Sequence, residues 1–265
     1  MTEQDNIAPE EKNEEKNEEK NKKANQFPVL YQQIVPLLTD LHKDLKLKNN
    51  QNFSFAANVN AVPIVIQELS MAAKFFPIVF SADAPGAMLA ILGIKNGQNL
   101  FVDEKGDWQP NTYVPTYMRR YPFYIARQDA ESEPIICIDD TSPFFSPDGD
   151  KALFEDGKPS DDLNRIMEFT RTYQRQLELT SEYAQAIAAK GLLEEQGVSF
   201  RVGDEVKASV NGFQTIIRAK FDELDGETLK EWHGKNWLDA CILHLASGSN
   251  FDLLWRMDRE RNGQG

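Results

Sequence analysis

Between Ser160 and Gly191, apolar and small side chains recur in steps of three and four: Leu163, Ile166, Thr170, Tyr173, Leu177, Thr180, Ala184 and Ile187. Only an α-helix gathers positions so spaced onto one side, and the run predicts a single helix of roughly thirty residues. Its ends are written in the chain. The Ser160 hydroxyl can accept from an orphan amide of the first turn, Asp161 and Asp162 complement the positive end of the dipole, and Gly191 is a stop. A rod this long needs a body to lie on. The stripe is narrow and includes Thr and Ala, so it is expected to cover intramolecular core, with a homodimer through the helix as the alternative use.

Upstream, the character of the chain breaks sharply at Phe27. Residues 1–26 contain the iteration KNEEKNEEKN and almost no apolar side chain, so they are expected to form a disordered charged tail. From Phe27 onward, Pro28, Pro36 and Pro63 separate short apolar segments, and Ile66, Leu69, Ala73 and Phe76 predict a first helix over 62–76. Segments 78–81, 87–94 and 100–102 then read as strands of an antiparallel β-meander, with Asn96–Gly97 as a hairpin turn and Lys105–Gly106 as a second turn before Trp108. Two more strands are expected at 121–126 and 134–138, and an exposed loop at 146–159. Beyond the long helix, strands are expected near 198–202, 206–210 and 215–221, and helices near 228–232 and 237–247. Strands and helices fall in separate blocks, which predicts an α+β fold: an antiparallel meander with flanking helices, one of them long, near 160–190. The body is taken as one domain over 27–250, with 251–265 as a polar C-terminal tail.

Charge narrows the partners. The formal net charge is −13, and without residues 1–26 the chain still has 24 basic against 34 acidic side chains. Such a body repels phosphate backbones and anionic lipid heads, so nucleic-acid binding is not expected. The longest apolar runs are about six residues where a bilayer needs about twenty, so no membrane insertion is expected and the location is read as cytoplasmic. Cys137 and Cys241 are too few for a disulfide framework and are read as reduced and buried.

No phosphate-cradling glycine loop and no nucleophile elbow occurs, and no cofactor is expected. Asp148, Asp150 and Asp156 lack the spacing of a calcium loop. His42 and Asp44 form His-x-Asp, which with a distal histidine, His233 or His244, would make the facial triad of a non-haem iron oxygenase. The most distinctive local composition is YVPTYMRRYPF, residues 113–123, where Arg119 and Arg120 sit among aromatic rings in an acidic chain. A guanidinium holds a carboxylate or phosphate through two parallel bonds while rings flank it. Arg119, Arg120, Tyr117, Tyr121 and Asp139 are therefore the candidate ligand-binding residues. The competing reading is that the arginines pair with Asp139 or Asp140 and brace the fold.

The stretches FSFAANVNAVPIVIQEL, FPIVFS, GIKNGQNLFVDEKGDW, YVPTYMRRYPF, CIDDTSPFF, LFEDGKPS and GFQTI, in this order from about residue 28 to 250, resemble the SapC family, a bacterial group named for its link to surface-layer proteins. The charged tail has no counterpart in the family's pattern. The resemblance implies no reaction and no catalytic residue. It implies a non-enzymatic cytoplasmic binding or accessory protein linked to surface-layer or exported-protein biogenesis, with a partner from the cell surface or the secretion pathway. The iron-dependent enzyme is the alternative.

Overall fold

The structure is a computed structural model that describes residues 27–49, 52–127 and 132–263. The expected tail at 1–26 lies outside them. The elements in order are β1 (Ile34–Pro36), α1 (Thr39–His42), β2 (Lys46–Leu47), β3 (Ala61–Pro63), α2 (Leu69–Ala72), β4 (Ile78–Ser81), β5 (Met88–Ile91), α3 (Thr116–Arg119), β6 (Phe123–Ala126) and β7 (Ile135–Asp139). There follow β8 (Phe145–Ser146), β9 (Lys151–Ala152), β10 (Phe154–Glu155), β11 (Lys158–Pro159), α4 (Asp161–Ala189), β12 (Leu193–Val202), β13 (Glu205–Ile216), α5 (Arg218–Asp222), α6 (Gly226–Gly234), α7 (Trp237–Ser247) and α8 (Asn250–Arg261). The fold is α+β, with antiparallel sheets and the long helix where the periodicity puts it.

The central sheet has five strands in the order β12-β13-β4-β5-β3. Its middle pairs Ile78 with Ala90 and Phe80 with Met88, and Ala61 with Ile91. Helix α7 lies on β4 and β13 and completes their backbone bonding: Ser247 Oγ accepts from Ile78 N at 3.0 Å, and His244 Nε2 accepts from Ile216 N at 3.0 Å. Two residues three apart on one helix face thus tie two strands of the sheet. The turn from β4 to β5 passes close to α4. Gly86 has φ +91°, and a Cβ there would meet Ser181 Oγ at 2.7 Å, so only glycine fits. Ser160 caps α4 as its sequence predicts, accepting from Leu163 N. The α4 stripe is spent inside the chain, with Leu163, Thr170, Tyr173, Thr180, Ala184 and Ile187 buried.

Several expectations are corrected. The helix over 62–76 is replaced by β3, a 3₁₀ turn at Ile66–Glu68 and the one-turn α2. Pro63 holds Val62 extended, and the Glu68 carboxylate accepts from Val65 N at 3.0 Å, starting the turn only there. Asn96–Gly97 does not close a ladder: Gly97 alone takes positive φ, +68°, and the following run makes only a bridge between Val102 and Trp108. The strand expected at 215–221 ends at Ile216 and gives way to α5. The 146–159 stretch is no simple exposed loop. It carries β8 and β9, which flank β2, and it buries Leu153 and Phe154 in a small second core with Phe123, Ile138 and Leu163. Finally, 251–265 is not a tail as far as Arg261. Phe251, Leu254 and Asp258 fall on one face of α8 and are buried, and Arg261 donates to the carbonyls of Asn99, Leu100 and Val102, each at 2.9 Å.

Candidate functional site

Pro115 ends an extended approach, and α3 is a single turn that sends successive side chains in different directions. Arg119 points to the surface side, while Arg120 is only 3% exposed. The Arg120 guanidinium lies 4.7–5.5 Å from the ring centres of Tyr173, Tyr117, Tyr124 and Tyr31. Four separate segments supply this cage: the approach to β1, α3, β6 and α4. Tyr31 is held by a bond from its hydroxyl to Phe123 O at 2.7 Å, and Tyr117 by one to Val29 O. Burial pushes the phenols of Tyr31 and Tyr173 far up, and that of Tyr117 to about 12, although Arg120 pulls each down. All three rings therefore stay neutral, and the cation is met by π-faces, not by phenolates.

No carboxylate pairs with it. Asp139 is fully buried at the end of β7, where it accepts from Gln32 N, Gln33 N, Thr141 N and Oγ, and the Tyr121 hydroxyl. Glu68, also buried, accepts from Val65 N, the Tyr113 hydroxyl, and Thr116 N and Oγ. Both acids take their hydrogen bonds from neutral donors, which is what burial of a polar group requires. The pairing of Arg119 or Arg120 with Asp139 or Asp140 is not formed. Arg119 instead donates from Nε to Val114 O and from Nη2 to the Tyr113 and Thr116 hydroxyls.

Beside these arginines opens a cleft of about 330 Å³. Its walls carry the cations Lys48, Lys151, Arg119 and Arg120 and the rings of Phe53, Phe55, Tyr121, Phe123, Phe144 and Phe169, and among the described residues no Asp or Glu lines it. The Tyr121 and Phe55 rings stack at 4.3 Å. The eight ion pairs recorded elsewhere on the described residues involve none of these four cations. On the far side of Arg119 lies a smaller hollow of about 250 Å³, bounded by Glu68, Tyr113, Thr116, Phe169 and Tyr173. Of the residues singled out from sequence, Arg119, Arg120 and Tyr121 line the cleft, Tyr117 belongs to the cage, and Asp139 sits behind Tyr121. The lysines and four of the phenylalanines carry no local signal. They arrive from just after β2, from the 3₁₀ turn at Ser54–Ala56 and the residue before it, from 144–151 and from α4.

His42, Asp44 and a distal histidine are not brought together. His42 Nδ1 bonds the backbone of Leu38, whereas His244 is core, its Nε2 occupied by Ile216 N. Among the described residues no group of three His, Cys, Asp or Glu side chains is placed to hold a metal ion. Cys137 and Cys241 are free and buried.

The SapC family model matches residues 37–254. The chain belongs to the SapC family. The match begins just after β1 and ends in α8, so the cleft and the central sheet lie within the SapC region, as does the cage except for Tyr31. Neither the curated proteins nor the solved structures contain a match to the chain. Among the described residues no helix is long and apolar enough to cross a membrane.

Proposed function

We propose that this SapC-family chain is a non-enzymatic, cytoplasmic binding protein, accessory to the biogenesis of surface-layer or other exported protein, and that its cleft is where the partner is engaged. One observation carries the reading: a cleft with four cations, six aromatic rings and, among the described residues, no acid, in a chain of net charge −13. Among the described residues none of these four cations is paired with an acid, whereas Lys95, Arg175 and Lys235 are, and this leaves the cleft available to a negatively charged, partly apolar partner. Family membership supports the link to exported protein.

The test is capture from the native host with the wild-type chain and with Arg119→Gln. Recovery of identified surface or secreted proteins by the wild type, and their loss with the variant, is the expected result. Recovery of the same set by both, or of no exported protein, sinks the reading.

A further inference from the structure

Arg120 combines three properties that a merely structural arginine does not need together. It is 3% exposed, it has no carboxylate partner, and its buried Nε has no hydrogen-bond acceptor. A buried guanidinium without counter-charge is costly, and four tyrosine faces offset only part of that cost. The nearest buried acids, Glu68 and Asp139, are fully engaged with other donors. Arg120 nevertheless forms part of the cleft wall, next to Arg119, whose Nη1 donates to no acceptor among the described residues. The rest of the wall is chiefly phenylalanine.

From this geometry we infer that the cleft binds a carboxylate carried on an apolar, ring-sized body, with Arg119 and Arg120 taking the carboxylate and Phe55, Phe144 and Phe169 taking the body. The inference deepens the function proposed above and rests on the same cleft. A single negative charge matches the single uncompensated buried cation. The volume admits a body of about ten to fifteen heavy atoms by the usual scale of ligand sites. Neither α3, a single turn, nor the 3₁₀ turn at Ser54–Ala56 is long enough to present a phosphate-binding N-terminus at the cleft, so a phosphate gains no helix end here. The shared chemistry has two sources, a free small acid or the C-terminus of a polypeptide ending in an apolar residue.

Calorimetric titration of the full chain separates them. The probes are 3-phenylpropionate, its amide, phenyl phosphate, and an acetylated tripeptide ending in Phe as free acid or as amide. Phenylpropionate is expected to bind at least about tenfold more tightly than its amide, the margin of a charge-assisted bond, and no more weakly than phenyl phosphate. Arg119→Gln and Arg120→Lys are each expected to erase the preference for acid over amide. Tighter binding of the free-acid tripeptide than of phenylpropionate supports a chain terminus, and the reverse supports a small acid. Equal binding of acid and amide by the wild type, or tighter binding of phenyl phosphate, overturns the inference even where Arg120→Lys does not fold. If the acids bind as expected while no exported protein is captured, the accessory role fails and the carboxylate site stands. Capture that persists alongside indifference to the carboxylate has the opposite meaning.

Discussion

His244 offers a stability test whose size follows from its surroundings. It is 2% exposed on α7, accepts the amide of Ile216 through Nε2, and so carries its proton on Nδ1, which has no partner. Burial lowers its pKa from the ordinary 6.5 to about 4. Below pH 6.5 the unfolded chain binds a proton that the native chain refuses, so stability falls as pH drops from 6.5 toward 4. Each pH unit in that window costs about 1.4 kcal/mol, which gives about 2 kcal/mol lost by pH 5 and about 3 kcal/mol in full. Urea unfolding at pH 7.5, 6.5, 5.5 and 5.0 measures the loss against His244→Gln, whose amide oxygen still accepts from Ile216 but does not titrate. The wild type should lose about 2 kcal/mol more than the variant between pH 7.5 and 5.0. Parallel pH dependences for the two proteins would refute the reasoning, as would an imidazole resonance of His244 that titrates near 6.5 in the native state.

Three further outcomes are expected. Ser160→Ala removes the acceptor for Leu163 N and the donor to Ala152 O at 2.7 Å, so it should cost about 1–2 kcal/mol in denaturant unfolding. Asp258 is 3% exposed and takes two bonds from Lys95 Nζ, at 2.7 and 2.8 Å, and one from Gln98. Burial pushes its carboxyl up, but those donors outweigh it and hold it below the usual range. Asp258→Asn should therefore cost about 1–3 kcal/mol at pH 7, a difference from wild type that shrinks as pH falls through the native carboxyl pKa and the wild type loses its own charge. Truncation after Ser249 removes Phe251 and Leu254 from the core and strips three carbonyls of Arg261. The shortened chain should lose cooperative thermal unfolding, where a true tail would leave the melting temperature unchanged.

What could be read along the chain was what is decided locally. Helix α4 is legible because its cap, its stop and its stripe are neighbours in sequence, and of β12 and β13 the segments 198–202 and 206–210 are legible for a similar reason. The 62–76 segment misleads because the Glu68 side chain that starts its turn is itself fixed by Tyr113 and Thr116, more than forty residues away. Residues 251–261 look polar because most positions are charged, while the three buried ones, Phe251, Leu254 and Asp258, include an acid. The site divides in the same way. Arg119, Arg120 and Tyr121 stand out as one unusual segment. Lys48 and Lys151 become neighbours of that segment only through the pairing of β2 with β8 and β9, across about a hundred residues. The cage is likewise a product of folding, since Tyr31, Tyr117 and Tyr173 come from three separate segments of the chain.

Arg119 is the common wall of the cleft and of the hollow behind it. A ligand that recruits its guanidinium takes donors from Tyr113 and Thr116, whose hydroxyls in turn serve Glu68, and Glu68 sets the turn that leads into α2. The two cavities therefore share one guanidinium, and its bonds to Tyr113 and Thr116 form part of the wall between them.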